Sequence, residues 1–195
     1  MPQFIFYLSG GSACVLSVWS LTFSEENSPL LLIIVCLMWL VFAAVVMYER
    51  KMLNTSHIIL IIAIAGFILR LGYIAYTAYN QRQHDVYDFG GGSGHSQYIL
   101  YFFENANLPD FDPRNIWQFY HPPLHHIIAG LWMRFLDLFG MDFARIVENI
   151  QLLTLFYSSS CMVICYRILT ELGLCKGPLI LSFSLIAFNP SFIIF

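Results

Sequence analysis

The sequence predicts an all-α protein built into a membrane: a polytopic helical bundle of about six transmembrane helices, with an extracytoplasmic loop carrying a short amphipathic surface helix. Three observations carry that expectation. Of 195 residues, 58% are hydrophobic and only 11% are charged. Mean hydropathy is +0.69. The apolar residues also gather in runs of about 20, enough for a helix to cross a ~30 Å hydrocarbon core. A soluble domain carries about 25% charged residues, so this chain has too little charge to cover a water-facing surface. The same composition excludes disorder and a disulfide-stapled secreted domain. A net charge of −3 argues against nucleic acid as a partner, which asks for a basic stripe.

The elements follow in order. Residues 4–23 form the first apolar run, with Gly10 and Gly11 as close-packing positions. No basic residue precedes this run and another span follows closely, so it reads as a retained helix and not a cleaved leader. Residues 30–48 hold no charge, and residues 58–78 hold one, Arg70, roughly two turns from the far end. The apolar pattern then breaks. Residues 124–139 give a shorter, more polar candidate span. Residues 146–166 give another, with Glu148, Asn149 and Gln151 in its first turn, and residues 178–195 begin a sixth. The sequence stops inside that apolar run, so the chain is expected to be the front of something longer. Cys14, Cys36, Cys161 and Cys165 fall in predicted spans and Cys175 near a helix end, as small packing residues.

Loop charges set the orientation. The turn at 24–29 holds Glu25 and Glu26 and no base, whereas the turn at 49–56 holds Arg50 and Lys51. Basic residues in short loops stay in the cytoplasm. The N-terminus is then inside and residues 79–121 are extracytoplasmic. This gives a multi-pass integral membrane protein, sited in the plasma membrane if the cell is bacterial. His57 reads as a boundary residue, and Arg134 with Asp137, three apart, as a structural pair.

The chemistry concentrates in residues 79–126. Five of the six histidines lie here (His84, His95, His121, His125 and His126) with Asp85, Asp88, Glu104, Asp110 and Asp112. Loops are polar because they are wet, but Lys, Ser and Glu would serve that purpose, whereas His, Asp and aromatic residues are the side chains of sites. The Gly90–Gly94 run, GGGSG, lacks the Lys-Ser or Lys-Thr of a nucleotide-phosphate loop. In His95–Asn105, HSQYILYFFEN, apolar residues at 98, 99, 102 and 103 suit a helix lying on the bilayer with its aromatics dipping in. Trp117, Phe119 and Tyr120 are interfacial aromatics. In HPPLHH, Pro122 and Pro123 suit a first helical turn, with His121 near the N-cap and His125 a turn further on. Free amides there favour an anion.

Taken in order, R-Q-H-D-V-Y-D-F-G-G after a span, an amphipathic helix, then Y-H-P-P-L at the next span resembles the GT-C membrane glycosyltransferases. The closest likeness is to the dolichyl-phosphate-mannose protein mannosyltransferases and the bacterial lipid A glycosyltransferases. The run FGMDFARIVENI, with Gly140 and Arg145, is similar too. The likeness covers about residues 67–195. Residues 1–56 look like an added helical pair, and residues 57–195 like the start of the catalytic domain. One departure is plain: Val86 stands where the eukaryotic enzymes carry a second acid after the position of Asp85.

The resemblance implies an inverting sugar transfer from a polyprenyl-phosphate donor to an acceptor hydroxyl outside the cytoplasm. Asp85 is then the catalytic base, its pKa raised by the low dielectric beside the bilayer. His84 and Asp88 flank it. Arg82, Arg114, Tyr120, His121 and Arg70 are candidates for binding the substrate and its phosphate. Each base has an ordinary alternative: anionic headgroups for the loop residues, and snorkelling to the interface for Arg70. No cofactor or metal is assigned, although paired acids at 85 and 88 could hold a divalent cation. A zinc set of His84, His95, His121 and His125 matches no common spacing. The partners are the lipid-linked donor and membrane lipids. The rival reading is a non-catalytic scaffold or a transporter fragment, which leaves the His and Asp crowding without a cause.

Overall fold

A computed structural model describes residues 9–11, 13, 28–77, 95–116 and 119–194. The first expected span lies almost wholly outside these residues. All regular structure among them is helical. The elements are α1 (Ser28–Glu49), α2 (Thr55–Tyr76), α3 (His95–Asn105), a 3₁₀ turn (Pro113–Asn115), α4 (Leu124–Asp137), α5 (Phe143–Glu148), α6 (Gln151–Glu171), α7 (Lys176–Phe188) and α8 (Pro190–Ile194). Three described segments are long and apolar enough to cross a membrane: Leu30–Glu49, Thr55–Tyr76 and Phe143–Glu171. The expected fourth span ends after 14 residues, about 21 Å at 1.5 Å per residue. That is short of the hydrocarbon core, and α4 is not among the three segments long and apolar enough to cross by themselves. The expected sixth is a 13-residue helix, α7, stopped at Asn189-Pro190. Proline cannot continue the ladder and pushes the residue before it into extended geometry.

The chain divides into two compact units, residues 1–76 with 155–195, and residues 77–154. In the first, α1 and α2 form a hairpin. The α1 end is closed by Met52 N–H donating to the Met47 carbonyl (2.9 Å), with Lys51 in the left-handed region at φ 55°, the pattern that ties off a helix C-terminus. Asn54 then caps α2, its Oδ1 accepting from His57 N–H at 3.0 Å. The His57 ring donates from Nδ1 to the Met52 carbonyl at 2.7 Å. The boundary role expected of His57 is thus a hydrogen-bonded one. Further along, α2 meets α7 through Ile59, Leu179, Phe183 and Ala187, with Met162 of α6. Gly66 makes that approach possible: a Cβ there would lie 3.1 Å from the Ala187 carbonyl oxygen. Small residues at crossings let membrane helices pack backbone to backbone.

In the second unit, α3 lies on α4. Its apolar side (Tyr98, Ile99 and Phe102) is buried, and Ile99 joins Ala129, Met133, Leu136, Ile146 and Val147 in one core. The aromatics expected to dip into the bilayer are therefore spent on α4, at least along this side. The fit is tight at Gly130, where a Cβ would stand 2.9 Å from the Phe102 ring. Gly130→Val is expected to cost about 1–3 kcal/mol by overpacking and to speed hydrogen exchange in α3, a change read amide by amide. Arg134 and Asp137 are not the pair expected. Arg134 donates from Nη1 to the Phe103 carbonyl at 2.9 Å, closing the end of α3, and no ion pair joins it to Asp137 among the described residues.

Candidate functional site

Two helix starts build the site. His95 opens α3, while His121, Pro122 and Pro123 lead into α4. Pro123 is itself the cap residue, at φ −76° and ψ −12°, with no side-chain cap bond. Its carbonyl accepts from Ile127 N–H at 2.9 Å. The prolines thus precede the helix and do not form its first turn. Fixed φ near −65° favours helix initiation there, and the missing N–H is no loss at a helix start.

Packing α3 on α4 brings His95, His121 and His126 together. His95 Nδ1 lies 3.2 Å from His126 Nε2, so one nitrogen donates and the other accepts. The His95 ring centre is 5.0 Å from His121 and 5.4 Å from His126. Tyr98 stacks on His126 at 4.6 Å and on Phe119 at 4.4 Å. Tyr120 packs its ring 4.6 Å from His121 and is itself exposed. His125, expected a turn below His121 on one face, is exposed, and the next residue turns inward instead. His126 is 3% exposed and the neighbouring Ser96 1%. The sequence carried a signal for this: His126, Ala129, Gly130, Met133 and Leu136 make up the buried stripe of α4, an i, i+3, i+4, i+7 pattern.

Burial, reinforced by His125 and His95 nearby, pushes the His126 pKa down from 6.5 to about 4. The folded chain therefore resists a proton that the unfolded chain accepts below about pH 6.5. Stability is expected to fall as pH drops from about 6.5 towards 4, with no such loss above neutrality. His126→Gln is expected to flatten that limb, measured as the unfolding midpoint against pH.

The remaining candidates separate. Arg114 binds Asp112 through Nη2 at 2.7 Å and Nε at 2.9 Å, and its amide donates to the same carboxylate at 3.0 Å. The Arg114 guanidinium holds the Asp112 carboxyl below its ordinary pKa. Arg114 thus locks a 3₁₀ turn. Arg82, His84, Asp85 and Asp88 lie outside the described residues. Among the described residues, no group of three or more His, Cys, Asp or Glu is placed to hold a metal ion.

Arg70, in the first unit, does not snorkel. It is 2% exposed. Nε donates to Ser158 Oγ at 2.6 Å, and Nη1 donates to the carbonyls of Gly66 and Ala187, each at 2.9 Å. The Ala187 carbonyl is open because the ladder fails at Pro190: Ser191 N–H turns instead to Asn189 Oδ1 at 2.9 Å. Arg70 thus ties α2, α6 and α7, and its Nη2 has no partner among the described residues. Cys161 and Cys165 are 3.9 Å apart at sulfur and remain thiols.

No protein-family model, curated protein or solved structure matches the chain.

Proposed function

We propose that this chain belongs to a multi-pass membrane glycosyltransferase of the GT-C kind, acting on the extracytoplasmic side. The donor is a polyprenyl-phosphate sugar, and the acceptor is a hydroxyl of a protein, lipid or glycan. Asp85 takes the acceptor's proton as its oxygen attacks the anomeric carbon. The bond from that carbon to phosphate oxygen breaks, configuration inverts, and polyprenyl phosphate leaves with the bonding electrons. His84 and Asp88 flank the base. Arg82, His121 and Tyr120 hold the phosphate. Arg114 serves it from a guanidinium already tied to Asp112, and Arg70 orders the helices on which the loop begins.

One observation carries the reading. The two described pieces of the family-like motif, the amphipathic helix α3 and the H-P-P-L start of α4, pack on each other and converge three histidines. A scaffold or transporter fragment has no use for that convergence at a helix start.

The test is turnover of radiolabelled polyprenyl-phosphate mannose, then of other polyprenyl-phosphate monosaccharides, by the chain in lipid vesicles. Release of polyprenyl phosphate that depends on Asp85 supports the reading. Turnover indifferent to Asp85→Asn overturns it in favour of the scaffold; turnover of none of the donors by this chain, regained in a longer chain and lost there with Asp85→Asn, places the same activity in a protein of which these residues are the front.

A further inference from the structure

The α1–α2 hairpin, with Phe188 of α7, borders an open groove that the proposed sugar transfer does not use. Its volume is about 800 Å³, towards the upper end of the ~300–1,000 Å³ typical of small-molecule sites. Leu37, Val41 and Val45 of α1 face Ile61, Ala65 and Leu69 of α2 across it. Beyond one end of it the two helices are in close contact: a Cβ on Gly72 would run into the Ile33 side chain. The other end opens at the turn, where Tyr48 and Glu49 supply the polar part of the wall. Arg50 and Lys51 follow at once, both exposed and without a side-chain partner among the described residues.

From Leu37 to Tyr48 the groove runs about 17 Å along the helix. One leaflet of hydrocarbon is about 15 Å deep. The groove is therefore as long as a leaflet and apolar along its length; Glu49 is the charged residue of its wall, and the exposed Arg50 and Lys51 follow it in the turn, on the side where a headgroup would lie. Its walls are helices whose backbone groups are bonded within the helix, so they offer an extended peptide nothing to pair with. Gly10 packs to one side of this stripe: its Cβ would meet the Phe42 ring at 2.8 Å, and Phe42 lies about 100° round α1 from the stripe's middle and about 60° from Val45.

We propose that this groove binds one phospholipid with an anionic headgroup, an acyl chain lying between α1 and α2 and the phosphate meeting Arg50 and Lys51. Positive charge in the short loop places that end at the cytoplasmic leaflet, where anionic lipids are enriched. Each basic residue near such a surface contributes roughly 1 kcal/mol, or about five-fold. With Glu49 opposing, about a ten-fold preference for phosphatidylglycerol over phosphatidylcholine is expected.

The full chain is reconstituted in vesicles of equal phosphatidylglycerol and phosphatidylcholine. After mild detergent extraction, retained lipid is counted by native mass spectrometry. One phosphatidylglycerol per chain is expected. Ala65→Trp, which fills the groove, is expected to cut retention at least ten-fold with helical content unchanged. Arg50→Gln with Lys51→Gln is expected to bring the headgroup preference close to one while lipid is still retained. An empty wild-type chain, or equal retention by Ala65→Trp, overturns the proposal. So does cross-linking of an Ala44→Cys chain to a second copy or to its own residues 4–23, which names another occupant. If Ala65→Trp does not fold, the basic pair decides: unchanged preference after its removal overturns the proposal.

Discussion

Asp85→Asn is expected to lower sugar transfer by roughly 10²–10⁴-fold, the usual contribution of a positioned general base, with membrane insertion unchanged. Asparagine keeps the size and the hydrogen-bonding reach of aspartate but cannot take up a proton. The loss is therefore expected in kcat, with KM for the donor little moved. A residue that only held the phosphate or the loop would raise KM instead. Arg114→Gln is the useful contrast. Its guanidinium is engaged with Asp112 at 2.7 Å, so a milder effect, mainly on KM, is expected. Equal losses in both variants would sink the assignment of the base.

What could be read from the sequence divides along physical lines. The hairpin of α1 and α2 was legible because a run of about 20 apolar residues has few fates other than a membrane-length helix. The start of α2 was set too late: the apolar run was read from residue 58, whereas Asn54 caps a helix that begins at Thr55. The shorter helices were harder. Residues 124–139 looked like a span by apolar content, yet α4 buries one stripe against α3 and stops at Asp137. Hydropathy cannot distinguish apolar residues facing lipid from apolar residues facing another helix. The break at Asn189-Pro190 was written plainly and was read through because the residues around it are mostly apolar.

At the site, the sequence named His121 and set His125 beside it, and the fold chose His126. That choice depends on the register of α4 against α3, which one chain's residue list specifies only through the buried stripe. Tyr98 was invisible as a site residue for the same reason: its partner His126 comes from a helix some thirty positions away. The pair assigned to Arg134 and Asp137 failed because an i, i+3 spacing permits an ion pair without compelling one, and a free carbonyl at the end of α3 competed for the guanidinium.

Arg70→Met is expected to destabilise the first unit by about 2–4 kcal/mol, although it removes a buried charge. Two effects oppose each other. A guanidinium at this depth of a membrane helix costs about 2.5–3.5 kcal/mol on insertion scales, and Met would relieve that. Against it stand three hydrogen bonds from a charged donor, at about 1.5–3 kcal/mol each, to Ser158, Gly66 and Ala187. The bonds win, since even their lower bound of about 4.5 kcal/mol exceeds the insertion cost. Met would also strand the Ala187 carbonyl, which has lost its helical donor to the Pro190 break. Arg70→Lys is expected to fall between the two, because one ammonium on a shorter stem cannot serve acceptors on both α6 and α7 in a fixed fork. Ser158→Ala removes a single partner and is expected to cost about 1–2 kcal/mol. The measurement is the unfolding midpoint in detergent or vesicles for all three variants. If Arg70→Met were neutral or stabilising while sugar transfer was lost, the residue would be a functional cation held at the expense of stability, and the structural account of its three bonds would be wrong.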